Sequence, residues 1–240
     1  MKLVGLTGGI ATGKSTVSRL LQEHNIPIID ADKIAREVVK PGKISNRLIR
    51  KHFGDEYMLP DGNIDRQKIG KLIFANPEKR RLLNQCTHPY VRREMLKQAF
   101  LYWLKGSDVV VLDVPLLIES GMDKLVGKTI VVYCSEVLQL QRLMKRDNIS
   151  EQDANNRIKS QMPLADKVAR ADIVIDNSSD LSQLKIQVKN VVSNIRPSTL
   201  TWMLEYAGPP AAVVGLAAAI KMYLPRLLLY LGDRIAEYRH

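Results

Sequence analysis

The sequence predicts an α/β fold whose core is a parallel sheet of about five strands. Two observations predict this fold. A glycine-rich stretch, residues 8–15, lies between an apolar run and a helical pattern, and short apolar runs alternate with longer helical patterns. Such alternation indicates βαβ units and hence parallel strands. The predicted strands cover residues 2–6, 26–29, 109–112, 129–133 and 173–175.

Composition narrows the class of protein. A chain of 240 residues is long enough for one α/β domain with an elaboration. The net charge of +11 suits a polyanionic ligand, nucleic acid or an anionic membrane surface. We expect no nucleic-acid partner, because the aromatic fraction is only 5% and no basic run alternates with aromatic residues.

The cysteines and the N-terminus bear on the compartment. Cys86 and Cys134 are too few to form a disulfide framework, which favours a reducing compartment. The first predicted strand starts at Lys2, so we expect no secretory or transit signal.

The glycine-rich stretch predicts a phosphate-binding loop, or P-loop. Its spacing places backbone N–H groups around a phosphate, lets Lys14 reach the β and γ oxygens, and lets the Ser15 hydroxyl bind Mg²⁺. The predicted ligand is ATP or GTP, and the predicted core is therefore of the P-loop nucleoside triphosphate hydrolase type. The nucleotide-binding residues predicted here are Gly8, Gly9, Ile10, Ala11, Thr12, Gly13, Lys14, Ser15 and Thr16.

Three acidic residues follow predicted strands. Asp30 and Asp32 come after the second strand, at the edge where a parallel sheet binds ligands. We predict that Asp32 is a catalytic acid that accepts the proton of an attacking hydroxyl. The alternative is that one of the two only caps the following helix. Asp113 ends the apolar run of residues 109–112, and this pattern predicts a magnesium ligand.

Two further segments interrupt the alternation of strands and helices. Residues 47–106 are helical in pattern and rich in charge, and we interpret them as an inserted cap. Residues 142–165 are predicted to form a lid. Arg142 and Arg146 are four residues apart, so both guanidinium groups can reach one anion. The alternative is a solvated basic face with Asp147 as the local partner of these arginines.

Five stretches together resemble the dephospho-CoA kinase family, over about the first 195 residues. Family members often have Gly-Ser where this chain has Ala11-Thr12, and Phe where it has Ile118. Neither change removes a functional group. The five stretches are residues 7–15 (TGGIATGKS), 29–36 (IDADKIAR), 87–89 (THP), 114–119 (VPLLIE) and 171–177 (ADIVIDN).

The resemblance implies ATP-dependent, Mg²⁺-assisted phosphorylation of the ribose 3′-hydroxyl of dephospho-CoA, which gives CoA. It implies that Asp32 activates this hydroxyl and that Arg142, helped by Arg146, contacts phosphates. Residues 47–106 would then cover dephospho-CoA.

The same resemblance places two further groups of residues. His88 and Arg92 would contact dephospho-CoA, unless residues 87–89 form only a structural His-Pro turn. Asn177 would lie near the ATP adenine. Other hypotheses are a kinase acting on a nucleoside or its monophosphate, and a tethered nucleotide sensor without turnover.

The chain ends in a hydrophobic tail, residues 197–240, whose most apolar part is 207–231. Lys221 and Arg226 each cost about 2.5–3.5 kcal/mol at the centre of a bilayer, which disfavours a simple span. We expect a helix at a membrane surface or a short re-entrant hairpin. The alternative is a helix packed on the kinase domain. The expected location is the cytoplasmic face of a membrane, with the mitochondrial surface as a candidate.

Overall fold

A computed structural model of the chain describes residues 1–198, and Lys2–Arg196 form one compact unit. Five strands form a single sheet in the order β2-β3-β1-β4-β5, and all neighbouring strands are parallel. The predicted fold class is therefore confirmed. The strands are β1 (Lys2–Gly8), β2 (Ile28–Asp30), β3 (Val109–Asp113), β4 (Lys128–Tyr133) and β5 (Ile173–Asp176).

Helices connect these strands, and short 3-10 helices occur at Asp55–Tyr57 and Met122–Leu125. The α-helices of the described residues are α1 (Lys14–Glu23), α2 (Ala31–Glu37), α3 (Ile44–Phe53), α4 (Arg66–Ala75), α5 (Pro77–Leu104), α6 (Glu136–Asp147), α7 (Glu151–Lys159), α8 (Leu164–Ala169) and α9 (Leu181–Ile195).

The main core lies against the central strands. Every residue of β3 is buried, as expected for a β-branched strand covered on both faces. On one face, α1 and α9 contact each other and pack their apolar side chains on the sheet. The helical residues of this core are Val17, Leu20, Leu21, Leu184, Val188, Val191, Val192 and Ile195.

The strand register sets the geometry of the ligand edge. Asp113, the last residue of β3, pairs with Leu6 on β1 and with Asp30 on β2. The sheet therefore brings the carboxyl groups of Asp30 and Asp113 to the same edge as the start of the P-loop. Ligands bind at this edge in parallel α/β sheets.

The predicted cap is helical and has its own small core. It begins at α3 and ends with α5, and its buried residues are Ile49, Phe53, Ile64, Ile69 and Cys86. Residues 76–77 form the start of α5. The Asn76 side chain accepts hydrogen bonds from the N–H groups of Glu78 and Lys79, and Pro77 occupies the first turn.

The interpretation of residues 87–89 as a His-Pro turn is wrong, because they lie inside the continuous helix α5. Pro89 has no N–H to donate to the carbonyl of Gln85, which costs the helix one hydrogen bond. The helix nevertheless continues, because α5 packs against α2, α3, α4 and β2. Tertiary packing here overrides the local preference of proline.

The remaining predictions fall on the lid and the tail. Residues 142–165 comprise the second half of α6, the whole of α7 and the start of α8. Within residues 1–198, no helix is both long enough and apolar enough to cross a membrane. The predicted hydrophobic helical tail, including 207–231, lies outside the described residues.

The α1–α9 core predicts a large difference between two leucines of the same helix. Leu184 is 1% exposed and Leu181 is 49% exposed. We expect Leu184→Ala to lower the free energy of unfolding by about 2–5 kcal/mol, because it leaves a cavity in the core. Leu181→Ala is the control and should change it by less than about 0.5 kcal/mol. Urea unfolding of both variants checks this, and equal effects would contradict the assigned core.

Candidate active site

The P-loop connects β1 to α1 and adopts an unusual backbone. Gly13, which precedes α1, has a φ of 90°, and Ala11 has a φ of 60°. The Thr12 hydroxyl donates a hydrogen bond to the Gly9 carbonyl at 2.9 Å, which closes the loop. No side chain caps the N-terminus of α1. The N-terminus of α1 therefore has no side chain that competes with an anion for its backbone N–H groups.

A cavity of about 530 Å³ opens on this loop. Residues 8–15 line it together with three predicted site residues, Asp32, Arg142 and Arg146, and with Pro115 and Gln161. The structure therefore brings together the catalytic and most of the nucleotide-binding residues that were predicted. Thr16 and Asn177 are not among the residues that line this cavity.

The two acids that follow β2 have different positions. Asp30 caps α2, and its side chain accepts a hydrogen bond from the N–H of Lys33 at 2.9 Å. Asp32 lies in the first turn of α2, is exposed, and lines the P-loop cavity. The capping residue is thus Asp30, which leaves the carboxylate of Asp32 available to a ligand.

Lys14 forms an ion pair with Asp113 across the base of the site. The Asp113 side chain is only 7% exposed, so its charge is poorly solvated. Burial raises the pKa of the Asp113 carboxyl above its ordinary value, the Lys14 ammonium opposes this rise, and the Asp30 carboxylate adds to it. A cation beside Asp113 therefore stabilises its charged form.

The two lid arginines of α6 have different partners. Arg142 Nη1 donates to the Asn177 carbonyl at 3.0 Å. Arg146 forms a two-point contact with Asp147, at 2.8 and 3.2 Å, and Asp147 also accepts from Arg157. These hydrogen bonds hold the pKa of Asp147 below its usual range. Asp147 is thus a local partner of Arg146, although Arg146 also lines the cavity.

Asn177 lies behind the P-loop. Its side chain is buried, and its amide Nδ2 donates to the Thr12 carbonyl at 2.8 Å. Its backbone N–H donates to the carbonyl of Tyr133 at the end of β4. The contacts described for Asn177 are therefore with the loop, the sheet and Arg142 of α6, and its place near adenine stays a prediction.

A larger cavity, of about 940 Å³, lies beside the P-loop cavity. Ser15 lines both, and Asp113 lines the larger one. Its walls come from α1, α2, α3 and α5, so it lies between the sheet edge and the cap. Basic side chains are well represented among its lining residues: Arg19, Lys33, Lys43, Arg93 and Lys97.

The structure does not bring His88 and Arg92 to either of these cavities. They lie on another face of α5, at an open cavity of about 610 Å³ formed by that helix alone. Burial and the Arg92 guanidinium lower the pKa of His88, which favours its neutral form. Arg93 lines both this outer cavity and the larger one. Neither the P-loop cavity nor the larger cavity therefore accounts for the predicted contact of His88 and Arg92 with dephospho-CoA.

Three contacts with the P-loop had no signal in the sequence. Gln139 Nε2 donates to the Ile10 carbonyl at 2.9 Å, and Gln161 Oε1 accepts from the Ile10 N–H at 3.1 Å. The fully buried Lys167 donates to the Gly8 carbonyl and pairs with Glu119 at 2.6 Å. All three partners are more than 125 residues away from the loop in sequence.

Two oxygen donors near the P-loop suit a magnesium ion, namely the Ser15 hydroxyl and the Asp113 carboxylate. Among residues 1–198, no group of three or more His, Cys, Asp or Glu side chains could hold a metal. This arrangement fits Mg²⁺, which commonly takes one or two protein ligands and completes its shell with phosphate oxygens and water.

Comparisons with known proteins agree with this site. The family model "Dephospho-CoA kinase" matches residues 2–183. The chain is 45% identical to Dephospho-CoA kinase CAB5 of Saccharomyces cerevisiae over 234 residues, 95% of each chain. It is 50% identical to Dephospho-CoA kinase of Bacillus cereus over 192 residues, 80% of this chain and 96% of the relative.

A solved structure supports the same assignment. Dephospho-CoA kinase from Campylobacter jejuni matches with a TM-score of 0.63 and 29% identity, over 81% of this chain and 96% of that one. The resemblance inferred from the five motifs is confirmed by the family match and by relatives that the alignments cover almost completely. The chain therefore belongs to the dephospho-CoA kinase family.

Proposed function

We propose that this chain transfers the γ-phosphoryl group of ATP to the ribose 3′-hydroxyl of dephospho-CoA, giving CoA and ADP in the final step of coenzyme A biosynthesis. The observation that carries this proposal is the convergence of Asp32, Arg142 and the P-loop on one cavity, which adjoins a second cavity at Ser15. Two adjoining cavities suit two substrates. Family membership supports the choice of acceptor.

Different residues of the P-loop cavity bind the phosphates of ATP and stabilise the charge of the transferring phosphoryl group. The loop N–H groups and the first turn of α1 bind the phosphates of ATP. Lys14 contacts the β and γ oxygens and gives up part of its contact with Asp113 to do so. Arg142 contacts the transferring phosphoryl group, and Arg146 assists by adding positive charge.

Asp32 is placed to act on the acceptor. It lines the P-loop cavity from the first turn of α2, and α2 also forms a wall of the larger cavity. A 3′-hydroxyl at the junction of the cavities donates its proton to the Asp32 carboxylate as its oxygen attacks phosphorus. No covalent enzyme intermediate is required, because positioning and charge stabilisation suffice for this reaction class.

Ser15 and Asp113 would hold Mg²⁺, Ser15 directly and Asp113 directly or through water. Held there, Mg²⁺ would supply positive charge that stabilises the negative charge on the phosphate oxygens. The buried carboxylate of Asp113 suits this role, because it sits at the sheet edge beside the loop and gains from a neighbouring cation.

The larger cavity suits dephospho-CoA, which carries a diphosphate. Its lining includes five basic and four acidic residues, and the basic side chains can contact a diphosphate. The cap helices α3 and α5 form part of its wall, which supports the interpretation of the cap as the acceptor-binding element.

We also propose that the hydrophobic tail binds a membrane surface from the cytoplasmic side, with the mitochondrial surface as the candidate. The support is the apolar sequence of residues 207–231 and the two charges within it, Lys221 and Arg226. The net charge of +11 adds attraction to anionic lipid headgroups.

Asp32→Asn tests the catalytic assignment. We expect kcat for dephospho-CoA phosphorylation to fall about 100- to 10,000-fold, because the amide cannot accept the proton, while the KM for ATP stays near that of the unsubstituted chain. Asp166→Asn is the matched control, since Asp166 is an exposed acid in the first turn of another helix, α8. A coupled ADP-release assay measures both. Full activity of Asp32→Asn would rule out Asp32 as the base.

Arg92 and Arg93 form a natural pair of variants for the acceptor site. Both are exposed residues of α5, but only Arg93 lines the larger cavity. We expect Arg93→Ala to raise the KM for dephospho-CoA about five- to tenfold through loss of a charge-assisted contact, and Arg92→Ala to raise it less than about twofold. The reverse order would move the acceptor to the outer face, beside His88.

Vesicle binding tests the tail. We expect the full-length chain to sediment with vesicles of phosphatidylcholine and phosphatidylserine, and Leu229→Asp to reduce the bound fraction several-fold, because a charge opposes burial of the apolar face. Leu125→Asp is the control, since Leu125 is 66% exposed and lies in the kinase unit. Binding that is unchanged in Leu229→Asp would contradict a membrane contact through the tail.

A further inference from the structure

We propose that three side-chain amides, those of Gln139, Gln161 and Asn177, are positioning residues that hold the P-loop in the conformation that binds ATP. They act through the backbone of the loop and not on the reacting atoms. This inference rests on the proposed function, because it concerns how the same site binds its nucleotide.

The loop has a left-handed backbone conformation at two positions, and at Ala11 this conformation needs support. Ala11 has a φ of 60° and Gly13 has a φ of 90°, both in the left-handed region. Glycine adopts such angles readily, whereas alanine is disfavoured there by contact of its Cβ with the backbone. A residue other than glycine stays in this region only when its surroundings fix it.

The angle φ of a residue describes rotation relative to the preceding peptide plane, and that plane contains the carbonyl of the preceding residue. Gln139 Nε2 donates to the Ile10 carbonyl at 2.9 Å and so fixes the plane before Ala11. Asn177 Nδ2 donates to the Thr12 carbonyl at 2.8 Å and so fixes the plane before Gly13. In both cases, therefore, a side-chain amide fixes the peptide plane that precedes a left-handed residue.

Gln161 completes the support from the other side of Ile10. Its Oε1 accepts from the Ile10 N–H at 3.1 Å, so the backbone groups on both sides of Ile10 are held by glutamine side chains. This contact uses the Ile10 N–H and leaves the later N–H groups of the loop for phosphate. If Gln161 merely competed with phosphate, its removal would strengthen ATP binding, so the two roles predict opposite signs.

Burial makes two of these amides rigid supports. Gln139 is 3% exposed and Asn177 is 9% exposed. A Cβ added to Gly9 would lie 2.6 Å from Gln139 Nε2, and one added to Gly13 would lie 2.1 Å from Asn177 Nδ2. Real Cβ atoms do not approach other atoms so closely. Gly9 and Gly13 are thus needed in part because the amides pack directly against the loop.

The test uses Gln139→Met and Gln161→Met in the full-length chain, since methionine keeps the length of the side chain without the amide. We expect the KM for ATP to rise about three- to tenfold in each variant, as expected for loss of one buried hydrogen bond. The KM for dephospho-CoA should change less than about twofold. Gln152→Met is the control, because Gln152 is an exposed glutamine of the nearby helix α7.

Ala11→Gly separates positioning from a general structural role. Glycine accepts the left-handed angle without support, so in the Gln139→Met/Ala11→Gly double variant the rise in KM for ATP should fall to less than about twofold. The rise caused by Gln161→Met should persist with Ala11→Gly, because Gln161 holds a different peptide group. A loss of folding alone would not show this selective rescue.

The outcomes are distinct. An unchanged or lower KM for ATP in Gln161→Met would overturn the proposal for Gln161, and absence of rescue by Ala11→Gly would overturn it for Gln139. If Gln139→Met does not fold, Gln161→Met, at a half-buried side chain, carries the test. The dissociation constant of a fluorescent ATP analogue is measured in parallel. The glutamine variants could lose binding of the analogue while even the unsubstituted chain fails to phosphorylate dephospho-CoA. That result would contradict the proposed function and not the amide supports.

Discussion

The register of the parallel sheet is the constraint on which the site depends. It places Asp113 opposite Leu6 and Asp30, so two carboxyl groups meet at the edge where the P-loop begins. Two acids at one poorly solvated edge repel each other, and burial and Asp30 together raise the pKa of Asp113. The Lys14 ammonium opposes this rise. The electrostatics of the site thus follow from strand pairing, and a cation beside Asp113 favours the charged form of its carboxyl group.

Much of the fold could be predicted because its signals are local. Continuous apolar runs identified the strands within about two residues, and the P-loop pattern identified its own neighbours β1 and α1. Asp32 and Arg142 could be assigned because chain order in a parallel sheet determines which loops meet at the ligand edge. These predictions required no knowledge of side-chain packing.

Other features depended on contacts between distant parts of the chain. Gln139 and Gln161 bind the same residue, Ile10, from 129 and 151 residues away, and a lone glutamine has no periodic pattern that predicts such a partner. The residues of α5 that face the site could not be identified while a His-Pro turn at residues 87–89 was an open alternative. Once the helix is known to be continuous, its geometry shows that Arg93 lines the larger cavity and Arg92 does not. Whether Asp30 or Asp32 caps α2 likewise could not be decided without knowing the residue at which α2 begins.

The departure of this chain from the family pattern at Ala11 has a physical consequence. An alanine with a φ of 60° is held against its own preference, whereas a glycine at that position would need less support. The Gln139 amide therefore contributes more to the loop here than it would beside a glycine. Alanine also restricts the unfolded chain more than glycine does, so a supported Ala11 gives a less mobile loop at a smaller entropic cost. The sequence of the loop and its support from α6 therefore have to be interpreted together.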